Sequence, residues 1–162
     1  TLASLLGAGH KVLVFSQFVD HLAILREHLD SEDIAHQYLD GSTPAKKRRQ
    51  AIADFQSGKG DVFLISLKAG GFGLNLTAAD YVIHMDPWWN PAAEDQASDR
   101  AHRIGQRRPV TIYRMVTTGT VEEKIVDLHH RKRDLADSVL EGTDAAARIG
   151  AKELLGILRD SE

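Results

Sequence analysis

The stretch KVLVFSQFVDHLAILREHLD, residues 11–30, contains two different hydrophobic patterns in succession. Its first part, Lys11–Ser16, is a short run of β-branched and aromatic residues, which is typical of a buried strand. Its second part, Phe18–Asp30, has apolar residues at positions 18, 22, 25 and 29, the spacing of one helix face. A strand followed directly by an amphipathic helix is the first half of a βαβ unit, so this stretch predicts an α/β fold.

The same alternation continues along the chain. Further strands are predicted at Ala35–Asp40, Asp61–Ser66, Asp80–Asp86 and Pro109–Val116. Helices are predicted from a Thr43 cap with Pro44 to about Gln56, from Asn90 to about Ile104 before Gly105, and from a Thr120–Glu123 capping box to about Leu140. We therefore expect a parallel sheet with helices on both faces in residues 1–140. Residues 141–162 are predicted to be a tail with a short helix at Ala151–Leu158.

Composition restricts the classes of protein to consider. The chain has 162 residues, of which 43% are hydrophobic, enough for one compact domain, and it begins at Thr1, so we expect a fragment of a longer protein. The absence of cysteine excludes a disulfide framework and thiolate metal sites. No apolar run approaches the roughly 18 residues of a membrane span, so we expect a soluble intracellular domain with no membrane partner. The net charge is −3, so a nucleic-acid partner requires a local basic patch.

The stretch DQASDRAHRIGQRRPV, residues 95–110, concentrates arginines among small residues. On a helix, Gln96, Arg100, Arg103 and Arg107 fall along one stripe. The small residues form a second stripe that lets the helix lie close to the sheet. Guanidinium forks in such a row suit phosphate oxygens. The alternative is a solvated face whose arginines pair with neighbouring aspartates, Asp95 and Asp99.

Four segments together resemble the Swi/Snf-type DNA translocases, the chromatin-remodelling branch of helicase superfamily two. QASDRAHRIGQ (residues 96–106) resembles motif VI of that family, and SLKAGGFGLNLTAADYVIHMDPWWNP (Ser66–Pro91) resembles motif V and its extension. KVLVFSQF (Lys11–Phe18) resembles motif IV, and YLDGST (Tyr38–Thr43) resembles the segment between them. The match covers roughly residues 10 to 130. It implies the second, carboxyl-terminal RecA-like lobe of a DNA-dependent ATPase.

The resemblance implies roles at an ATP site. Arg100 and Arg103 would reach ATP held by the first lobe, with Arg103 as the arginine finger and Gln96 orienting the same network. By itself, a glycine-rich loop after a strand is more often a tight turn than a nucleotide loop. The resemblance places three of its residues at the ATP edge: Gly71, Gly73 and Asn75. Because no Walker A or DEAH-type motif is present, the first lobe would hold the magnesium, and the isolated chain is expected not to hydrolyse ATP appreciably.

The resemblance also implies contacts with DNA. The residues expected to hold the backbone of duplex DNA are Ser16, Gln17, Thr43, Ser66 and Lys68. The tryptophans of DPWWNP are expected to pack in the core or between lobes, with base stacking as the alternative. The basic runs KKRR (Lys46–Arg49) and HHRKRD (His129–Asp134) are interpreted as solvated faces, and the histidines lack metal-ligand spacing. We therefore expect no metal site of the chain's own.

Two other functions stay open at this point. The chain could be the second lobe of a conventional strand-separating helicase, or a non-catalytic interaction domain of the same fold. The expected partners are duplex DNA and an N-terminal RecA-like lobe of the same polypeptide, and a DNA-bound protein is a further candidate. The object that is remodelled is not specified by the sequence. The location would be the cytoplasm or nucleoid in a prokaryote and the nucleus in a eukaryote.

Overall fold

The computed structural model describes residues 1–69, 74–103, 106 and 108–140, with side chains described up to residue 132. Its contacts divide the chain into two units, Thr1–Met115 and Val116–Glu162. The sequence predicted one domain over residues 1–140, and this boundary stays a prediction. The predicted tail at residues 141–162 lies outside the described residues.

The elements follow the predicted alternation of strands and helices. The strands are β1 Val12–Ser16, β2 His36–Leu39, β3 Val62–Ser66, β4 Tyr81–His84 and β5 Thr111–Arg114. The helices are α1 Leu2–Gly7, α2 Val19–Ser31, α3 Ala45–Gln56, α4 Pro91–Ser98 and α5 Val121–Leu140. All five predicted strands are confirmed. The short helix α1 was not predicted, because six residues are too few to show a helical period.

The five strands form one parallel sheet in the order β2-β3-β1-β4-β5. β1 lies at the centre, with Ser16 opposite Ser66 of β3 and Phe15 opposite His84 of β4. The chain first builds outward on the side of β3 and β2, and then crosses β1 to build β4 and β5 on the other side. The predicted α/β fold with a parallel sheet is confirmed. The pair β1 and β4 is the switch point of the sheet, where ligands of such folds bind.

Alternate residues of the central strands enter two separate cores, one on each face. On one face Leu13 and Phe15 of β1 pack in a cluster that includes Phe55 of α3 and Ala97 of α4. On the other face the intervening residues of β1 pack in a cluster with α1 and α2. These side chains form the continuous apolar run that predicted the strand, and both faces of the strand are buried. Helices therefore cover both faces of the sheet, as predicted.

Helix α4 is shorter than predicted. It begins as expected, with Pro91 in its first turn and the side chain of Asn90 accepting a hydrogen bond from the N–H of Ala92 at 3.2 Å. It ends at Ser98, whereas the sequence predicted Ile104, which itself lies outside the described residues. The carbonyl oxygen of Arg100 accepts from the N–H of Leu76 at 2.9 Å, so it is drawn out of the helical ladder. Arg100 and Arg103 thus lie on a turn after the helix, so the predicted helical stripe is wrong at these two positions, while Arg107 lies outside the described residues.

Two details at other helix starts also differ from prediction. Phe18 precedes α2 and is 55% exposed, although the helical spacing had placed it on the buried face. Thr43 does not cap α3, whose first residue is preceded by Pro44. Instead the Thr43 hydroxyl accepts from the N–H of Asp40 at 3.0 Å. The Asp40 carboxylate accepts hydrogen bonds from the N–H of Ser42 and the hydroxyl of Thr43. The Thr43 hydroxyl is therefore engaged within its own loop and does not cap α3.

The second unit begins with a hydrogen-bonded cap. The hydroxyl of Thr120 accepts from the N–H of Glu122 at 3.2 Å, and the carboxylate of Glu123 accepts from the N–H of Gly119 at 3.0 Å. The predicted start of α5 is therefore confirmed, with Glu123 reaching one residue further back than in the usual capping box. No helix in the described part of the chain is long and apolar enough to cross a bilayer.

Candidate functional site

Polar side chains gather at the carboxyl ends of β1, β3 and β4. The chain leaves β1 toward α2 on one face of the sheet, and it leaves β4 toward α4 on the opposite face. The two loops therefore separate at the switch point and leave a crevice between them. Ser16 ends β1 and Gln17 follows it in the first of these loops, and Ser66 and Lys68 lie at the end of the neighbouring strand β3.

Asp86 joins the two loops. Its buried carboxylate accepts a hydrogen bond from the Ser16 hydroxyl and another from the N–H of Gln17 at 2.9 Å. The Ser16 hydroxyl also accepts from the N–H of Phe18 at 3.0 Å. Ser16 is 1% exposed, so a direct contact between its hydroxyl and DNA requires exchange of a partner it already has. The arrangement fixes the backbone of Gln17, whose side chain is partly exposed.

Glu94 of α4 holds the segment between β4 and the helix. It is completely buried, and its carboxylate accepts from the N–H of Trp88 at 2.7 Å. The second oxygen of that carboxylate accepts from Nε of Arg114 on β5 at 2.8 Å. Arg114 also pairs with the exposed Asp95 at 3.2 Å. A buried carboxylate is tolerated here because both of its oxygens have donors.

His84 joins the end of β4 to the end of α4. Its Nε2 lies 2.9 Å from the hydroxyl of Ser98, and its ring stacks on Phe15 with centroids 5.6 Å apart. Burial lowers the pKa of His84 to about 4, against the opposing effect of Glu94, so the ring is neutral near pH 7. The contact with His84 therefore fixes the position of Ser98, which lies two residues before Arg100.

Arg100 is buried and lacks a complete set of partners. The residue is 4% exposed, and its Nε has no hydrogen-bond acceptor among the described residues. Burial lowers the pKa of the Arg100 guanidinium, and the nearby charge of Arg103 lowers it further, while Asp99 opposes them. An unsatisfied buried donor beside a second cation favours an incoming anion. Asp95, one of the two predicted partners of the arginines, forms an ion pair with Arg114.

The other residues predicted at the ATP edge are exposed or lie outside the described part of the chain. Gln96, Asn75 and Arg103 are exposed. Gly71 and Gly73 lie outside the described residues, so their predicted role stays a prediction.

The residues predicted at the DNA edge differ in exposure. Lys68 is exposed, whereas Ser66 is 4% exposed and its hydroxyl lies 3.4 Å from the N–H of Ala69. Thr43 is partly exposed, but its hydroxyl is engaged within its own loop. Lys68 and Gln17 are therefore the predicted DNA contacts with the most accessible polar groups.

A small recess opens between these loops. It has a volume of about 90 Å³ and is lined by Gln17, Leu67, Lys68, Trp88 and Ala93. Its lining residues follow β1, β3 and β4, so it lies at the switch point of the sheet. Apart from Gln17 and Lys68 its walls are apolar.

The residues after the arginine turn contact the opposite edge of the sheet, at the amino end of β4. Arg108, interpreted from sequence as surface or DNA-facing, forms an ion pair with Asp80 at 3.2 Å. Asp80 precedes β4, at the opposite edge from the crevice. Gln106 donates through Nε2 to the carbonyl of Ala79 at 2.6 Å and so ties the segment before β4 to the arginine turn. Arg107 lies outside the described residues.

The structure identifies side chains that sequence reasoning missed. Asp86, Glu94, His84 and Ser98 are all buried and polar, and they connect the crevice loops to the sheet. A local signal existed only for His84, a polar residue that ends an otherwise apolar strand; Asp86 lies in a loop, and Glu94 and Ser98 lie on a helix with other polar residues. His129 is also buried, contrary to the expectation of a solvated pair. Among the described residues, no group of three histidine or acidic side chains is arranged to hold a metal ion.

Comparison with known proteins identifies related chains. Residues 1–105 match the model of the family described as helicase conserved C-terminal domain. The human chromatin-remodeling ATPase INO80 is 41% identical over 164 residues, which cover 99% of this chain and 10% of that protein. An uncharacterized ATP-dependent helicase of Schizosaccharomyces pombe is 47% identical over 147 residues, covering 89% of this chain and 14% of that protein. The chain thus spans only between 10% and 14% of the length of these curated relatives.

A solved structure shares the fold. The crystal structure of the C-terminal part of the Fun30 ATPase domain superimposes with a TM-score of 0.73 and 42% sequence identity. The match covers 76% of this chain and 40% of that one. The predicted RecA-like arrangement is confirmed by this neighbour.

Proposed function

Because this chain belongs to the helicase conserved C-terminal domain family, in the Swi/Snf-type branch of helicase superfamily two, we propose that it is the second motor lobe of a DNA-stimulated ATPase. In this proposal an N-terminal RecA-like lobe of the same polypeptide holds ATP and most of the coordination of its Mg²⁺. This chain contributes arginines to the phosphates and grips one strand of duplex DNA. The whole protein acts inside the cell, on DNA or on a DNA-bound protein.

The observation that carries the proposal is the state of Arg100. A buried guanidinium with an unsatisfied Nε, next to Arg103, is costly unless an anion completes it. The γ-phosphate of ATP presents several oxygens that accept guanidinium hydrogen bonds. We assign Arg100 to binding this phosphate. Arg103 is exposed and therefore free to reach across to another lobe, so we assign it as the arginine finger.

Support for the DNA side comes from the crevice. Lys68 presents an exposed ammonium at the carboxyl end of β3, and the backbone of Gln17 is fixed by Asp86 at the neighbouring end of β1. The ammonium of Lys68 and the side-chain amide of Gln17 are donors on adjacent strand ends, and such donors suit successive groups of a phosphate backbone. Ser16 then acts through the position of this loop, since its hydroxyl is buried and bonded to Asp86. We propose the same supporting role for Ser66.

The test is ATPase turnover of the protein that carries both lobes, with and without saturating duplex DNA. We expect strong stimulation of the wild type by DNA, and a loss of about 10³-fold or more in stimulated turnover for Arg103→Ala. Arg108→Ala is the matched control, because it removes an arginine that is paired with Asp80 away from the crevice. Its turnover should stay near that of the wild type. Equal turnover of Arg103→Ala and wild type would refute the finger assignment.

A second measurement tests whether the lobe is sufficient. The 162-residue chain alone is expected to show no appreciable ATP hydrolysis, because Walker A and DEAH-type residues are absent from it. Robust turnover by the pure chain that disappears in Arg103→Ala would contradict this expectation. We expect the two-lobed protein to hydrolyse ATP in response to DNA without separating the strands of a tailed duplex. Strand separation would favour a conventional helicase.

A further inference from the structure

We infer that Gln106 is a positioning residue for the ATPase reaction, because its side chain holds the arginine turn, residues 99–103, against the loop before β4, residues 76–80. This inference rests on the proposed function, in which Arg103 stabilises the transition state. Gln106 itself is assigned no contact with ATP or with DNA.

The amide of Gln106 is surrounded by backbone groups of both segments. Its Nε2 lies 2.6 Å from the carbonyl oxygen of Ala79, 3.1 Å from that of Thr77 and 3.3 Å from that of Ala101. Its Oε1 accepts from the N–H of Arg108 at 2.9 Å. Three carbonyl oxygens around Nε2 and one N–H at Oε1 determine which way the amide group points. The side chain therefore bridges the loop and the turn through specific hydrogen bonds.

The arginine turn is fixed at two separate points. The carbonyl oxygen of Arg100 accepts from the N–H of Leu76 at 2.9 Å, and this bond does not involve Gln106. The carbonyl oxygen of Arg103 accepts from the backbone N–H of Gln106 at 2.9 Å, and the Gln106 amide also reaches Ala101. Removal of the Gln106 side chain should therefore loosen the Arg103 end of the turn, while the Arg100 end stays attached to Leu76.

Arg103 depends on such support because its side chain is exposed. Packing against neighbours does not select the direction of the side chain, so that direction is set by the backbone of the turn. Groups that act on a transition state must be held to within about 0.5 Å of their productive position. A displacement of about 1 Å can lower the rate about 10²-fold. A residue that fixes the turn therefore influences turnover without contacting ATP.

A second glutamine contacts the same loop but not the arginine turn. Nε2 of Gln56, the last residue of α3, lies 3.3 Å from the hydroxyl of Thr77, and its Oε1 accepts from the N–H of Ala78 at 2.8 Å. Gln56 and Gln106 thus both bond to the loop before β4. Among the described residues, only the side chain of Gln106 also bonds to the turn. Gln56 is therefore the matched control.

The experiment measures kcat and the KM for ATP of the two-lobed protein at saturating duplex DNA. Gln106→Ala should lower kcat about 10²-fold. The KM for ATP should change by less than about twofold, because Arg100 keeps its bond to Leu76 and Arg103 acts in the transition state. Gln106→Met has a similar volume without the amide hydrogen bonds, so it should show the same split between kcat and KM. Gln56→Ala should behave as the wild type does.

A double-mutant cycle separates positioning from a general contribution to folding. In the Arg103→Ala background, Gln106→Ala should lower kcat by less than about a further twofold, because the group that it positions is absent. A residue that only stabilises the fold would lower kcat by the same factor in both backgrounds. Urea denaturation should show that Gln106→Met is folded under the assay conditions.

Several results would overturn the inference. An equal loss of kcat in Gln56→Ala would show that the loop before β4, and not the turn, causes the effect. Equal losses in the two backgrounds, or loss of turnover through unfolding of Gln106→Met, would assign Gln106 to the fold alone.

The inference and the proposed function can fail separately. If the Gln106 variants keep the kcat of the wild type while Arg103→Ala loses it, this inference fails and the proposed function stands. If Arg103→Ala itself keeps the turnover of the wild type, the finger assignment of the proposed function is refuted, and the role of Gln106 is refuted with it.

Discussion

Removing the carboxylate of Glu94 should destabilise the first unit more than removal of any single exposed charge. Glu94 is 0% exposed and gives one oxygen to the N–H of Trp88 and the other to Nε of Arg114. In Glu94→Ala both donors lose their acceptor. The guanidinium of Arg114, whose side chain is 28% exposed, keeps only its bond to Asp95.

The magnitude follows from these contacts. Breaking a buried ion pair by deleting one partner costs about 3–5 kcal/mol when the remaining charge has no other compensation. Arg114 is partly exposed and retains Asp95, so the lower part of that range applies. Loss of the hydrogen bond from the N–H of Trp88 to Glu94 adds about 1 kcal/mol. We therefore expect Glu94→Ala to lower the free energy of unfolding by about 4 kcal/mol.

The assay is urea denaturation of the chain, followed by circular dichroism. Asp95→Ala is the matched control, because it removes the exposed acid that pairs with the same Arg114. That surface pair contributes about 0–1 kcal/mol, so its midpoint should hardly move. Equal losses of unfolding free energy in the two variants would show that the burial of Glu94 does not determine its contribution to stability. The inference that Glu94 holds the Trp88 segment in place would then be refuted.

Two further changes test the sheet end and a turn. Folding lowers the pKa of His84 from 6.5 to about 4, so the unfolded state binds more protons between those two pH values. The free energy of unfolding should therefore fall by about 2 kcal/mol from pH 7 to pH 5 because of His84. Denaturation curves of His84→Gln at the two pH values should lack this part of the pH dependence. Gly60 has φ of +94° and an added Cβ would lie 2.9 Å from the carbonyl oxygen of Ala35. Gly60→Ala should cost about 2 kcal/mol or more, whereas Gly58→Ala, at φ +91° in open space, should cost about 1 kcal/mol. Equal midpoints for the two glycine variants would contradict the steric reason.

The strands could be predicted from the sequence because their signal is local. Each buried strand is a short run such as residues 12–16 in which both faces are covered, and neighbouring residues alone reveal it. The end of α4 could not be predicted in this way. It depends on a bond between the carbonyl of Arg100 and the N–H of Leu76, which precedes it by 24 positions in the chain. Helical period continues through the arginines, but the tertiary contact prevails over it.

The site shows the same division between local and distant information. Placing ligand residues after strands was a consequence of parallel topology, and Gln17, Lys68 and the loop after β4 do lie there. The pairing of Asp86 with the backbone of Gln17 joins residues 69 apart, which no local pattern specifies. The burial of Ser16 follows from that pairing, so its exposure could not be judged from its position at a strand end.

Helix α4 connects the two halves of the proposed site. Near its start, Glu94 accepts a hydrogen bond from the N–H of Trp88. At its end, Ser98, which lies two residues before Arg100, is hydrogen-bonded to His84. The helix has only eight residues and is attached to β4 and β5 by these side chains, so it has little freedom to bend or slide between them. A displacement of Arg100 toward a phosphate would therefore strain the same contacts that position Trp88. Under the proposed function, this link would couple a phosphate at Arg100 to the DNA edge, and removal of Glu94 would break it most directly.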